Sequence, residues 1–205
     1  LQYVPGPATM FGNISKLQAG SYLIAKNNQV SVEKYWDIRT IPEEEKSIGS
    51  AEDAKEQLKY RLEESVKSQM MSDVPLGAFL SGGIDSSTIV SLMAKHSTQP
   101  LKTFSIGFDG DKRYDETQYS NLVSERFNCD HHAIVMRPHV EDLITEIVSQ
   151  MDEPIADPAI IPTYLLAKFA SKEVSVVQTG EGADELLGGY KQYRLEKLYP
   201  LYSLL

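Results

Sequence analysis

One cysteine, Cys129, is all that the 205 residues contain, so no intrachain disulfide can form and a reducing compartment is the simpler setting. Also missing is any run near the ~18 uninterrupted apolar residues that a bilayer-spanning helix needs. The first residues lack a basic flank leading into an apolar stretch, which removes the signature of a secretory signal. A globular, cytoplasmic protein with no membrane partner is therefore expected. Basic residues are in deficit: 20 Lys and Arg against 29 Asp and Glu leave a formal charge of -9, whose average field disfavours nucleic acid. Internal repeats and low-complexity tracts are absent too. What is present is a hydrophobic fraction of 41%, enough to bury one core with a small module attached.

Residues 20–33 read as a strand pair. Tyr22, Leu23, Ile24 and Ala25 lead into Asn27-Asn28, and Val30 and Val32 alternate with polar residues on the way out; asparagine tolerates the positive φ of a tight hairpin turn. After Tyr35-Trp36 comes the acidic stretch Pro42-Glu43-Glu44-Glu45-Lys46, and a module boundary is expected near residues 38–50. From Ser50 the period changes. Ala54, Leu58, Leu62, Val66 and Met70 recur every four residues, as on an amphipathic helix with Ser50 as N-cap and Asp53 in its first turn. Alternating units follow: strands over residues 75–80, 102–108, 132–136 and 174–178, helices over 86–96, 116–127, 140–151 and 163–171. Strands separated by helices of this length imply parallel crossovers, hence an α/β doubly wound parallel sheet with its ligand site beyond the carboxyl ends of the strands.

The first of these strands runs into Leu80-Ser81-Gly82-Gly83-Ile84-Asp85-Ser86-Ser87. Two adjacent glycines let the main chain approach phosphate oxygens, the hydroxyls of Ser81, Ser86 and Ser87 add donors, and the following helix points its positive end at the same spot. Asp85 would repel a bare anion and makes sense with magnesium between them. Neither the Walker spacing nor the dinucleotide fingerprint is present. The plainer reading is a tight strand-to-helix turn.

Ser81-Gly82-Gly83-Ile84-Asp85-Ser86 resembles the pyrophosphate-binding loop of the ATP-pyrophosphatase (adenine nucleotide alpha hydrolase-like) families, and Val74-Pro75-Leu76-Gly77-Ala78-Phe79-Leu80 before it looks like asparagine synthetase in particular. A second block, Thr179-Gly180-Glu181-Gly182-Ala183-Asp184-Glu185 followed by Gly188-Gly189-Tyr190, resembles the family's second signature. The resemblance covers residues 35–193. It implies an ATP-dependent amide ligase that adenylates the side-chain carboxylate of aspartate, releases pyrophosphate and lets ammonia, drawn from glutamine, displace AMP to give asparagine. It further implies that Ser81, Gly82, Gly83, Asp85, Ser86 and Ser87 hold the phosphates with magnesium, that Asp85 and Asp184 are the metal-directed carboxylates, and that Glu181 assists formation or breakdown of the adenylate. The main chain around Leu80, Ile106, Thr179 and Gly180 would hold adenine and ribose. Asp115-Glu116 matches a family segment beside the nucleotide, or is an acidic first turn of a helix. Asp152-Glu153-Pro154 and Asp157-Pro158 would touch the amino acid, or are plain turns.

Against the family pattern, no cysteine precedes Cys129 to serve as a glutaminase nucleophile, and residues 1–37 resemble only the tail of the family's N-terminal amidotransferase domain. The expected organisation is residues 1–45 as that tail and linker, and residues 46–205 as a synthetase domain short of its closing helices, with Lys191 and Arg194 not obvious replacements for their basic groups. A fragment of a longer chain, or a self-associating homo-oligomer, is expected. Two rivals stand beside the leading reading: an enzyme of β-lactam synthetase type acting on another acid, and a catalytically idle nucleotide-binding domain. Cys129, His131 and His132 lack metal-site spacing and read as a strand entry; Tyr190, Tyr193, Tyr199 and Tyr202 read as packing residues.

Overall fold

The computed structural model describes residues 2–38, 42, 49–109, 116–136 and 141–196. These fall into two compact units, residues 1–56 with 139–161, and residues 57–138 with 162–205. Two helices, α1 (Ala51–Gln69) and α5 (Ile160–Ala170), are divided between them.

In the first unit β1 (Ser21–Lys26) and β2 (Gln29–Lys34) form an antiparallel hairpin with Ala25 opposite Val30. Asn27 and Asn28 make the turn at φ 52° and 58°, the left-handed pair that a two-residue hairpin demands. Gly20 receives the amides of Tyr35 and Trp36 on its carbonyl oxygen at 2.8 and 3.1 Å. Ser50 caps α1: its hydroxyl accepts the Asp53 amide at 3.1 Å while Asp53 Oδ2 accepts the Ser50 amide at 2.9 Å, a reciprocal capping box with aspartate in the usual glutamate place. The unit also holds α4 (Glu141–Ser149).

The second unit is a four-stranded sheet in the order β5-β4-β3-β6, every neighbouring pair parallel. The strands are β3 (Leu76–Phe79), β4 (Lys102–Phe108), β5 (Asp130–Met136) and β6 (Val176–Gln178). Between them run α2 (Ile84–His96), α3 (Thr117–Arg126) and α5; α6 (Ala183–Leu187) and α7 (Lys191–Glu196) follow β6. The period-2 alternation of the strands sorts the core into two layers. On one face Ala78 and Leu80 pack with Val66 of α1, Val90 and Met93 of α2 and the half-buried Val123 of α3. On the other, Phe104 packs with Leu166 and Ala170 of α5 and with Val174, flanked by Phe79, Ile106 and Val177. Helices on both faces of a parallel sheet make this a doubly wound α/β fold.

Two helices begin earlier than the sequence pattern indicates. α2 starts at Ile84, whose side chain is 81% exposed, so it carries no periodic signal. α5 starts at Ile160 with Pro162 in its first turn; proline is tolerated there because the first amides of a helix have no intrahelical acceptor to lose. β5 likewise begins at Asp130, two residues before the apolar pattern, and β6 only at Val176.

Candidate functional site

β3 has β4, the next strand in sequence, on one side and β6, the last, on the other. The crevice beyond the carboxyl ends of β3 and β6 is thus the topological switch point, where sheets of this kind bind ligands. Both glycine-bearing turns lie at that end.

After β3 the chain turns through residues 80–83 into α2. Leu80 is 1% exposed and its amide donates to the Phe104 carbonyl at 2.8 Å, so its side chain is core. Gly82 has φ +86° and lies on the first turn of α3, where a Cβ would fall 2.6 Å from the Ser120 nitrogen. The turn is tied internally: Ser81 Oγ accepts the Gly83 amide at 3.2 Å and lies 3.0 Å from Ser86 Oγ, which bonds the Gly83 carbonyl at 3.3 Å. Ser86 is buried, and its hydroxyl holds the turn from inside. Ser87 differs, because its Oγ is buried and has no hydrogen-bond partner. Gly83 is the N-cap of α2 and supplies no side-chain acceptor, which leaves the positive end of the helix to whatever acceptor enters the crevice. Asp85 is the acidic residue of that first turn and is half-buried.

The turn after β6 comes directly against this one. A Cβ on Gly180 would fall 2.8 Å from the Ser86 nitrogen and 3.0 Å from the Asp85 carbonyl carbon. Thr179 Oγ1 accepts the Glu181 amide at 3.3 Å, and the Glu181 side chain is exposed. Gly182, at φ +86°, caps α6, and Asp184 and Glu185 fill its first turn. Asp184 packs against Gly189, whose amide donates to the Asp184 carbonyl at 3.0 Å. Glu185 accepts the Tyr190 hydroxyl at 2.8 Å, and this bond pushes the Tyr190 pKa up to about 12. Tyr190 and Tyr193 meet edge to face, as packing residues do. The side chain of Arg194, with Tyr199 and Tyr202, lies outside the described residues.

The structure therefore brings together residues 81–86 and Gly180. It sets Ile106 in β4 on the α5 face of the sheet. Glu116 is exposed and its carbonyl accepts the amides of Tyr119 and Ser120 at 2.9 and 3.1 Å, as a helix start does; Asp115 lies outside the described residues. Asp157 and Glu153 belong to the first unit. Asp157 Oδ1 accepts the Ala159 amide at 2.9 Å and Glu153 pairs with Lys16, which is turn and packing chemistry. Asp157 borders an open apolar cavity of about 260 Å³ lined by Ile144, Val148, Met151 and Ile160 among others. His131 and His132 face opposite sides of the sheet: His131 bonds Thr103 and Ser105, and His132 stacks on Phe104 at 5.5 Å. The residues that sequence reasoning missed are Tyr119 and Ser120, the floor under Gly82; a contact across more than thirty residues leaves no local pattern.

Several features fit a polyphosphate with magnesium: a cradle that a Cβ would fill at Gly82 and Gly180, the orphaned Ser87 hydroxyl, an uncapped helix start and a nearby carboxylate. No cluster of three His, Cys, Asp or Glu fit to hold a metal occurs among the described residues. Magnesium characteristically takes one or two carboxylates and completes its shell with phosphate oxygens and water.

The putative glutamine-hydrolysing asparagine synthetase 2 of Methanocaldococcus jannaschii is 39% identical over 197 residues, 93% of this chain and 36% of that protein. The glutamine-hydrolysing asparagine synthetase 1 of Bacillus subtilis is 40% identical over 200 residues, 94% of this chain and 30% of its own length. The amidase chyE of Penicillium rubens is 28% identical over 206 residues, again 93% of this chain and 31% of that protein. The chain thus spans about a third of the length of the curated relatives it matches. The asparagine synthase family model matches residues 57–202, a span that contains both glycine-bearing turns and the whole parallel sheet, and the chain belongs to the asparagine synthase family.

Proposed function

We propose that the second unit is the ATP-dependent amide-forming part of an asparagine synthetase-like protein, activating the side-chain carboxylate of aspartate for attack by ammonia. The observation that carries this reading is the backbone contact between Gly180 and the Asp85-Ser86 peptide at the switch point. It brings the two family signatures into contact beyond the carboxyl ends of β3 and β6, the place where sheets of this kind bind ligands.

The chemistry asks for little covalent participation from the protein. A carboxylate oxygen of aspartate attacks the α-phosphorus of ATP, the bond to the bridging oxygen breaks, and pyrophosphate leaves with that electron pair. Ammonia then attacks the acyl carbon, AMP departs, and one proton must be taken from nitrogen. Two anions have to approach each other, so stabilising the leaving group is the main task. The α2 start, the backbone of Gly82 and Gly83 and the hydroxyls of Ser81 and Ser87 would hold the β- and γ-phosphates. Asp85 and Asp184 would hold magnesium, which when bound supplies charge neutralisation of the departing pyrophosphate. Glu181, exposed at the same end of the sheet, would accept the proton from the attacking amine. Backbone groups near Leu80, Ile106, Thr179 and Gly180 would position adenosine.

Aspartate-dependent exchange of labelled pyrophosphate into ATP tests the reading. Exchange with aspartate supports it; exchange only with another acid moves the protein to a different amide ligase, a course made concrete by its similarity to a protein named an amidase. Magnesium-ATP binding with no exchange for any acid leaves an idle nucleotide-binding domain. Ammonia would come from glutamine through a domain on the same chain or a partner, in a cytoplasmic setting. No helix among the described residues is long and apolar enough to cross a membrane.

A further inference from the structure

The face of the sheet under α3 carries polar side chains where a core is ordinarily apolar. Thr103 and Ser105 of β4 and Ser120 of α3 are all buried, and a buried hydroxyl without a partner is costly. The two β4 hydroxyls share one partner, His131 of β5. Its Nδ1 lies 2.8 Å from Thr103 Oγ1 and its Nε2 3.2 Å from Ser105 Oγ. Ser120 Oγ in turn donates to Ser105 Oγ at 3.3 Å, sharing its proton with the Thr117 carbonyl at 3.0 Å. The imidazole therefore ends a hydroxyl chain that crosses from β5 over β4 to the first turn of α3. The same turn of helix is the floor of the glycine loop, since a Cβ on Gly82 would lie 2.6 Å from the Ser120 nitrogen and 2.7 Å from the Tyr119 carbonyl carbon. Ser120 is thus held by the sheet through its side chain and touches Gly82 through its backbone.

We infer that His131 is a positioning residue for the 81–86 turn: through Ser105 and Ser120 it sets the height of the α3 floor on which Gly82 rests. An imidazole suits the task because its two nitrogens, on opposite edges of a rigid ring, reach two hydroxyls spaced i, i+2 on one strand face. A leucine would fill much of the volume and leave both hydroxyls of β4 without the ring nitrogens they now meet. Ser124 gives the contrast. It is buried on the same helix, but its hydroxyl returns to the Asn121 carbonyl at 2.8 Å. The functional consequence rests on the reading of the turn as a triphosphate site; the mechanical one does not.

The test compares Ser120→Ala, His131→Leu, the double variant, His131→Gln and the control Ser124→Ala in the whole protein. Two quantities are measured: the Kd for magnesium-ATP by calorimetry, and amide hydrogen exchange by mass spectrometry in peptides covering residues 80–87. Ser120→Ala and His131→Leu should each weaken magnesium-ATP about tenfold and speed exchange at the turn, the size expected for one broken buried hydrogen bond. The double variant should be no worse than the weaker-binding single one, because both cut one chain. His131→Gln, which restores an amide partner, should recover most of the affinity, and Ser124→Ala should change neither quantity. Additive losses, or unchanged exchange at residues 80–87 in folded Ser120→Ala, would overturn the inference. If the unmodified protein does not bind magnesium-ATP, the triphosphate reading fails by itself. Exchange then still decides on His131: faster exchange in the two variants upholds it, and unchanged exchange overturns it.

Discussion

Gly180 and Ser86 meet backbone to backbone, with only 2.8 Å between the Ser86 nitrogen and the place where a Cβ on Gly180 would stand. Neither neighbour of that methyl is the end of a flexible side chain, so Gly180→Ala must move one turn away from the other. Overpacking of this kind costs ~1–3 kcal/mol. The expected outcome is a lower melting temperature together with a loss of magnesium-ATP affinity of about tenfold or more. A variant with both properties unchanged would show that the turns are not in contact in solution.

Gly82 and Gly182 offer a matched pair, because both have φ +86° but only the first is crowded. Alanine at either position takes a left-handed conformation that costs roughly 1–2 kcal/mol. At Gly82 the methyl also meets the α3 backbone at Ser120, adding ~1–3 kcal/mol; at Gly182 nothing lies within 4 Å. Urea denaturation should therefore rank Gly82→Ala as clearly less stable than Gly182→Ala. Equal losses would mean that Gly82 does not rest on α3.

The sheet was legible in the sequence because its strands are short apolar runs bounded by glycine and polar residues, and residues 102–108 were read to the residue. The hairpin was legible from Asn27-Asn28, whose side chains tolerate the φ they adopt. The capped start of α1 was legible in Ser50 and Asp53, but the starts of α2 and α5 were not, since a first turn such as Ile84 at α2 faces solvent and obeys no core period. The candidate site was visible as two motifs and not as a surface. Sequence gives the glycines, whereas their close packing on Ser86 and Ser120 is set by pairing of β3 with β6 and by the return of α3. The inward use of the Ser86 hydroxyl was equally hidden, because a serine in a loop carries no mark of the side on which it bonds.

Asp85 tests the charge logic of the crevice. A carboxylate repels a bare polyphosphate and attracts one that carries magnesium. Asp85→Asn should weaken magnesium-ATP about tenfold while leaving ATP in the presence of a chelator unchanged or bound more tightly, the size expected from one lost contact to a charged group. Calorimetric titrations with and without magnesium separate these outcomes. Parallel losses in both titrations would point to a structural role for Asp85.

Tyr190 reports on the segment after α6. Its hydroxyl donates to Glu185, and this bond raises its pKa from 10.0 to about 12. A group whose pKa rises on folding adds stability that is fully present below its unfolded value and is lost as pH climbs through the folded one. The window here is pH 10 to about 12. Ultraviolet titration should lose one late-ionising tyrosine in Tyr190→Phe, and Glu185→Gln should return that tyrosine toward the ordinary value, while Tyr22, raised by its own bond to Glu33, ionises late in every variant. An unchanged number of late tyrosines in Glu185→Gln would refute the pairing.

His131 gives a prediction of opposite sign. Burial, with help from the neighbouring His132, holds its pKa below the ordinary 6.5, so the unfolded chain takes up the proton more readily than the folded one. The stability from the neutral ring is fully present above the unfolded value and is lost as pH falls through the folded one. Among the described residues, the charged and titratable groups beside it on β5 and β4 are His132, Asp130 and Lys102, the last paired with Glu173; on the α3 side its hydroxyl chain ends at the neutral Ser120. The Glu63 pairs with Lys95 and His96 hold that carboxylate below 4.5, so their loss belongs to more acidic solution. Urea midpoints should therefore fall as pH drops below the ordinary histidine value of 6.5, and His131→Gln, which cannot titrate, should flatten that part of the curve. An unchanged slope in the variant would mean that the imidazole is not held neutral between β4 and α3.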